Sequence, residues 1–380
     1  MNNHDSSDHL SSIAFNPSRL YTLGVELELQ IVDRHSMALV PKASQLLEAM
    51  PQSLRSVVTQ EFIQSILEVQ TGICASVAEV EQHLRDVCQQ SAKIALDNDW
   101  LLCAASLHPS AIVDEQVLTD GDRYRRIMDE LQIVGRRFIT QGIHVHVGMP
   151  DGETAVRACD AIQPFLPLLL ALSTSSPYYQ SLDTGFMSYR TKLFEAMPMA
   201  GIFGRIGGWD DFLKEIGFLG RQGVIRSIKD LWWDARPHPG FGTIEIRICD
   251  IPTRFSDVLA LTALVQALVV TICREVNRVG SYSRHLLRYN KWQAARHGLR
   301  GLFVDPTSML ADNKITFVEA LKKLIEKVTP AAEELGGQEY LDLINNILVR
   351  GTGADQMRDL FQRTNDLQEV MRYIHQEFWQ

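Results

Sequence analysis

Three short stretches of this chain place an apolar comb on one side and ionisable groups on the other: Gly24-Val-Glu-Leu-Glu-Leu-Gln30, Gly142-Ile-His-Val-His-Val-Gly148 and Thr243-Ile-Glu-Ile-Arg-Ile-Cys249. Successive side chains of a strand point to opposite faces. Val25, Leu27 and Leu29 therefore share a face, as do Ile143, Val145 and Val147, and Ile244, Ile246 and Ile248. The opposite faces carry Glu26, Glu28, His144, His146, Glu245 and Arg247. A solvated antiparallel sheet also alternates, but its polar side is ordinarily Thr, Ser, Lys and Gln. Carboxylate, imidazole and guanidinium groups on three such strands are ligands for metals and phosphates, so the pattern predicts an active site on a sheet.

With 380 residues, 46% hydrophobic and 22% charged, the chain has the composition of an ordinary globular protein with a substantial core. Its net charge of −9 is spread out and leaves no basic stripe, which excludes nucleic acid as the expected partner. Residues 1–17 are polar and lack an apolar core, so they read as a disordered tail rather than a secretory signal, and the expected location is cytoplasmic. Val258 to Cys273 is apolar but short for a full span and interrupted by Gln266, so it reads as a buried helix and not as a membrane anchor. The six cysteines form no CxxC pair, which suits reduced thiols; Cys249 alone falls on a polar strand face.

Helical spacing runs from Glu79 to Asn98, followed by a buried strand from Trp100 to Ser106. Further apolar helices are expected at Ala155 to Ser173, bent around Pro164 and Pro167, and at Ser256 to Val279; after about Thr316 the chain reads as helical. No repeat or linker divides Gly24 to Asp250, so residues 18–380 are expected to form a single catalytic domain with a helical C-terminal portion from about residue 316. Strands far apart in sequence with helices inserted suggest an α+β fold with a largely antiparallel sheet. The glycine-rich region Gly201 to Gly223 reads as a mobile loop able to close over a site, or as an irregular surface excursion. Long apolar helices are also compatible with a homo-oligomer.

Glu26 and Glu28 sit on adjacent rungs of one strand face and can hold two metals or flank one. Like charges about 4 Å apart repel by roughly 4 kcal/mol at an effective dielectric of 20, and a divalent cation is the simplest compensation. Val57 to Thr71 adds Glu61 and Glu68, which can reach the same cleft either from one helix face or from a strand pair turned near Gln64. A carboxylate-dominated set with His144 and His146 suits Mg²⁺ or Mn²⁺ better than Zn²⁺, and Mg²⁺ suggests a nucleotide. Arg247 can then grip a phosphate oxygen. No GxxxxGK[ST] sequence occurs, so metals and arginines must hold the phosphates; Arg190, Arg236 and His238 are candidates, with Tyr189 beside them.

The ordered motifs GVELELQ, GIHVHVGMPD and GTIEIRICDIPT resemble those of the carboxylate-amine ligases of the glutamate-cysteine ligase type 2 family, over roughly Leu20 to the C-terminus. The resemblance implies a glutamine synthetase-like catalytic core, with helices on one face of an antiparallel sheet and metals and ATP on the other. It implies Glu26, Glu28, Glu61, Glu68, His144 and Glu245 as metal ligands, with Arg247 near the transferred phosphate. The better-known bacterial ligases carry Asp at the position of Glu61 and an Asn-like residue at that of His146.

The implied reaction is ATP-dependent: a substrate carboxylate attacks the γ-phosphorus, and an amine displaces phosphate from the acyl phosphate. Arg247, with Arg190 or Arg236, would stabilise the developing charge, while His146, His238 and Tyr189 would contact the cofactor or nucleotide. Small molecules are the expected partners: ATP, an amino acid with a side-chain carboxylate, and an amine, with weak glutamate-cysteine ligase activity as the default. Alternatives are a metal-dependent hydrolase, since clustered carboxylates and histidines also activate water, and a non-catalytic nucleotide- or metabolite-binding protein.

Overall fold

The structure, a computed structural model, describes residues 10–275 and 282–379. Its centre is a seven-stranded antiparallel sheet. The strands are β1 (Leu23–Asp33), β2 (Val58–Gln60), β3 (Ile66–Gln70), β4 (Trp100–Cys103), β5 (Ile143–Gly148), β6 (Ala235–His238) and β7 (Thr243–Ile246). They lie in the order β6-β7-β5-β1-β3-β2, with β4 paired to the far end of β1. The three charged stretches are thus immediate neighbours, β7-β5-β1.

The apolar combs fill one face. Val25, Leu27, Leu29, Ile143, Val145, Val147, Ile244 and Ile246 are buried in one hydrophobic cluster with helices α1 (Val77–Leu96), α2 (Gly152–Ile162), α3 (Leu166–Ser173) and α4 (Phe255–Glu275). Helix α1 starts where Ser76 accepts the Glu79 N–H, while the Glu79 carboxylate accepts from the Ala75 N–H. Asp151 caps α2 in the same way through the Thr154 N–H. The expected bend separates α2 from α3 at 67°: Pro164 removes a donor from the ladder, and Pro167 is tolerated in the first turn of α3. Helix α4 is long and apolar enough to cross a membrane by length and composition, yet it is packed inside the protein against the sheet and other helices. The expected extension of this helix beyond Glu275 lies outside the described residues. After Thr316 the chain is helical, from Phe317–Glu334 to Leu367–Phe378.

Two expectations are corrected. Residues 1–9 lie outside the described residues, but residues 10–17 are not a free tail: Leu10–Ser12 form a 3-10 turn with Leu10 buried, and Asn16 donates its N–H to Pro239 O. The segment Gly201 to Gly223 is mostly helix α5 (Trp209–Arg221) rather than a mobile loop. Its glycines serve packing: a Cβ on Gly220 would lie 2.6 Å from Leu10 Cδ1 and one on Gly217 would lie 2.7 Å from Ser11 Cβ. Glycine here permits close approach of the N-terminal turn, not motion.

Candidate active site

The polar faces of β1, β3, β5, β6 and β7 form the floor of one cleft. Register places Glu26 opposite His144, Glu28 opposite Glu68, and Glu245 opposite His146 on one side and Arg236 on the other. The segment Val57 to Thr71 adopts the strand-pair alternative, β2 and β3, and the turn between them carries Glu61. Glu26, Glu28, Glu61, Glu68, His144, His146, His238, Glu245 and Arg247 all line this cleft.

At one end the carboxylates are neutralised by the protein. Arg236 grips Glu245 with two hydrogen bonds, Nε to Oε2 at 2.8 Å and Nη2 to Oε1 at 3.1 Å, and gives Nη1 to the carbonyls of Ile228 and Leu231 at 3.0 Å each. Arg247 also donates to Glu245. Burial opposes charge on Glu245, which is 1% exposed, but Arg236 and Arg247 outweigh it and hold its carboxyl well below the usual range. The expectation that Arg236 grips phosphate is therefore corrected: its donors are engaged, and it is the counter-charge of Glu245.

His144 donates Nδ1–H to Glu26 Oε2 at 2.9 Å, since a carboxylate can only accept. That tautomer leaves Nε2, 3.8 Å from Glu28, as a free lone pair. Burial, helped by Arg247, lowers the His144 pKa to about 4, so the ring is neutral. Burial also opposes the charge on Glu26, but the hydrogen bond from His144 and the nearby His146 ring hold its carboxyl below the usual range. His146 bonds Thr243 Oγ1 through Nδ1 at 2.9 Å, and its Nε2 points between Glu26 at 3.5 Å and Glu245 at 3.9 Å without a hydrogen bond of its own. Burial opposes protonation of this ring, and the two carboxylates outweigh it and raise its pKa.

The other end lacks such compensation. Glu61 and Glu68 form no ion pair with Lys or Arg among the described residues. Burial, with repulsion from Glu68 and partial relief from Arg190, pushes Glu28 up to about 7. Burial and Glu28 push Glu61 up to about 7, and burial with Glu61 and Glu26 puts Glu68 well above its ordinary value.

Three groups bring ligand atoms within 4.8 Å of one another: Glu26/His146/Glu245, Glu26/Glu68/His144 and Glu28/Glu61/Glu68. Hard oxygen donors dominate, and the unpartnered His146 Nε2 and the crowded carboxylates are both what a divalent cation would satisfy. The residues present fit Mg²⁺ or Mn²⁺. His146, expected at a nucleotide, instead joins Glu26 and Glu245 in one of these groups.

Arg247 shares the face of Glu245 by two-residue spacing, and a β-bulge follows it: the Asp234 carbonyl accepts from both Arg247 N at 2.9 Å and Ile248 N at 3.1 Å. Lys291, itself 2% exposed, holds the Asp234 carboxylate at 2.7 and 2.9 Å. The bulge breaks the two-residue period, and Cys249 joins the core instead of the polar face. Arg190 lies beneath the floor, 2% exposed, donating to the carbonyls of Arg247 at 3.3 Å and Ile248 at 3.2 Å. It supports Arg247 from below and does not line the cleft. Tyr189 is also outside it, with its ring 5.2 Å from that of Tyr179. His238 does line the cleft, stacked on Phe241 at 4.2 Å and 12°.

Several lining residues carry no motif. Gln70 donates to Glu68, and two-residue spacing from Glu68 would have placed it on the same face. Arg123, Tyr124, Lys229 and Trp232 come from the opposite wall, where helix and strand signals are too short or too polar to announce a site.

The family model described as "Glutamate-cysteine ligase family 2 (GCS2)" matches residues 22–376. The chain belongs to this family. It is therefore a ligase of the glutamate-cysteine ligase type. A family relative from Solibacter usitatus, named "Putative glutamate--cysteine ligase 2", is 36% identical over 366 residues, covering 94% of this chain and 93% of its own length. One of the same name from Gloeobacter violaceus is 38% identical over 367 residues, covering 95% and 97%. Among solved structures, glutamate-cysteine ligase from Francisella tularensis in complex with AMP superposes with a TM-score of 0.67 at 14% identity, covering 96% of this chain and 90% of that one. A bifunctional glutathione synthetase from Pasteurella multocida gives a TM-score of 0.70 at 14% identity, covering 99% of this chain and 53% of that one. These two likenesses show the fold, the expected α+β fold with a largely antiparallel sheet, shared with a glutamate-cysteine ligase and a glutathione synthetase.

Proposed function

We propose that this ligase uses ATP to activate a substrate carboxylate as an acyl phosphate and joins it to an amine, with glutamate and cysteine as the reference pair giving γ-glutamylcysteine, ADP and phosphate. The observation that carries the reading is the row of three cation-sized ligand groups along one sheet face, with Arg247 in the same cleft.

Glu26, His146 and Glu245 would hold one divalent cation and Glu28, Glu61 and Glu68 another, with His144 between them. Such cations, Mg²⁺ or Mn²⁺, supply charge neutralisation for the phosphate oxygens. Arg247 contributes a fixed positive charge whose position the fold sets twice, from the Asp234 carbonyl at its N–H and from Arg190 at its C=O. A donor held in place before reaction needs no reorganisation as negative charge develops, and removing one such donor costs roughly 10²–10³ in kcat. Arg236 keeps Glu245 ionised and oriented. Aromatic side chains in the cleft walls would limit water at the acyl phosphate, which favours amide formation over hydrolysis.

Phosphate and ADP release with Mg²⁺-ATP, measured while amino acids are added singly and in pairs from glutamate and cysteine onward, tests the reading. Release is expected to require both an acid and an amine. Steady phosphate release with no amino acid present would replace the ligase reading by the hydrolase one.

A further inference from the structure

The two ends of the cleft differ in what they offer a substrate. Beside Glu61, Phe62 meets Tyr124 edge to face at 5.7 Å and Phe138 at 6.1 Å, and Phe138 meets Phe194 at 4.5 Å. Met197 and Trp232 complete this apolar wall. At its rim stand Arg123 and Lys229, both exposed and lining the cleft, neither in an ion pair among the described residues. Arg123 Nη2 donates to the backbone carbonyl of Lys229 at 3.4 Å, which makes the two residues neighbours at the rim.

We propose that this end binds the amine substrate, and that this substrate is an α-amino acid with a bulky apolar side chain, its carboxylate met by Arg123 and Lys229. The inference rests on the ligase reading above and names the substrate class of that site. The acid must arrive ionised to attack phosphorus, so it belongs beside Arg247. The amine must be neutral to attack carbon. An apolar wall, with two cations at its rim, disfavours the ammonium and so favours the free amine. In the step itself the nitrogen–carbon bond forms, the carbon–oxygen bond to phosphate breaks, and phosphate leaves with the electron pair and takes the proton that nitrogen gives up. A thiol or methyl side chain would cover little of this aromatic wall, whereas a larger apolar side chain would cover more of it. Two unpaired cations at the rim have no use for a simple alkylamine, but they match the carboxylate that an α-amino acid keeps.

The experiment uses the full chain with Mg²⁺-ATP and, as acid, glutamate or aspartate. Acceptors are hydroxylamine, cysteine, alanine, leucine, phenylalanine and 3-methylbutylamine, which is leucine without its carboxylate; amide and ADP are quantified together. Leucine or phenylalanine is expected to exceed alanine and cysteine in kcat/KM by at least about tenfold, since each methylene in an apolar pocket is worth roughly 10–200-fold. Phe138→Ala should lower leucine's kcat/KM relative to that of hydroxylamine in the same variant, a ratio that partial misfolding would not move. Arg123→Ala combined with Lys229→Ala should abolish leucine's advantage over 3-methylbutylamine. If hydroxamate forms but cysteine or alanine equals leucine, or the leucine ratio survives Phe138→Ala, the apolar-acceptor inference is overturned and the ligase reading stands. If no acid yields hydroxamate, both fall.

Discussion

The Glu245 end and the Glu61 end of the same carboxylate row are built on opposite electrostatic plans. Glu245 and Glu26 are matched by Arg236, Arg247, His144 and His146, and both carboxyls are held below the usual range. Glu28, Glu61 and Glu68 crowd together, and all three are pushed up. The first end is fixed by the fold alone. The second is a site of stored repulsion, relieved by protons or by a cation. One sheet face thus combines a pre-neutralised anchor with a lobe whose geometry depends on what it binds.

The largest effect is expected from breaking the anchor. Arg236→Leu removes the bidentate partner of a carboxylate that is 1% exposed. An uncompensated buried charge costs on the order of 3–5 kcal/mol, and because Arg247 stays on Glu245 the low end, about 3 kcal/mol, is expected. Denaturant unfolding should show that loss, and adding Glu245→Gln to the variant should recover much of it. A loss below about 1 kcal/mol would mean that Glu245 finds other compensation and that the two ends are not so different.

What the sequence made legible follows the same division. Period-two alternation sets which side chains share a face, so the candidate ligands on β1, β5 and β7 could be placed on one face before any fold was known. Their adjacency was not written in any one strand; it followed from three distant segments carrying the same uncommon chemistry. Glu61 and Glu68 were readable as cleft residues although their segment fitted either helix or strand, and register settles the choice by pairing Glu68 with Glu28. The compensation was not readable. Arg236 meets Glu245 through the β6–β7 register, and Arg190 reaches Arg247 across a separation of 57 residues. Composition misleads where one residue type serves two ends: the glycines in α5 suggest flexibility but serve close packing against Leu10 and Ser11. The apolar wall was hidden because Phe62, Phe138 and Phe194 look like ordinary core residues until the cleft they border is known.

A second prediction sharpens the contrast through pH. Glu28 and Glu61 are pushed up to about 7 from an ordinary 4.5, so the folded protein holds protons that the unfolded chain has released. Their contribution to stability is fully present below about 4.5 and is lost as pH rises through about 7. A tenfold difference in proton affinity between the folded and unfolded chain corresponds to roughly 1.4 kcal/mol. With EDTA present, Glu61→Gln should therefore be more stable than wild type above pH 7, by about 1–3 kcal/mol, and that advantage should vanish near pH 4.5. Adding Mg²⁺ or Mn²⁺ should reverse the order, because a ligand at 100 times its Kd stabilises by about 2.7 kcal/mol and the variant has lost a ligand. Thermal melts of the two proteins with and without the cation check this; wild type remaining the more stable in EDTA above pH 7 would show that the lobe is not under repulsion.

The smallest effect should come from Thr243→Val, which tests whether the two ends bind cations independently. Valine keeps the shape and strand preference of threonine, so β7 should be undisturbed. It removes the hydroxyl that holds His146 Nδ1 at 2.9 Å, and with it the contact that aims Nε2 between Glu26 and Glu245. Loss of such an outer partner typically weakens a metal site by 10–100-fold. The low end is expected here, about tenfold, because Glu26 and Glu245 keep their own supports from His144 and Arg236. A Mn²⁺ titration followed by electron paramagnetic resonance should then show one class of site weakened and the other unmoved. Equal weakening of both would tie the ends together through Glu26, which belongs to two of the three ligand groups. No weakening at all would mean that the neighbouring rings of His238 and Phe241, 5.6 and 5.5 Å from His146, orient it without the hydroxyl.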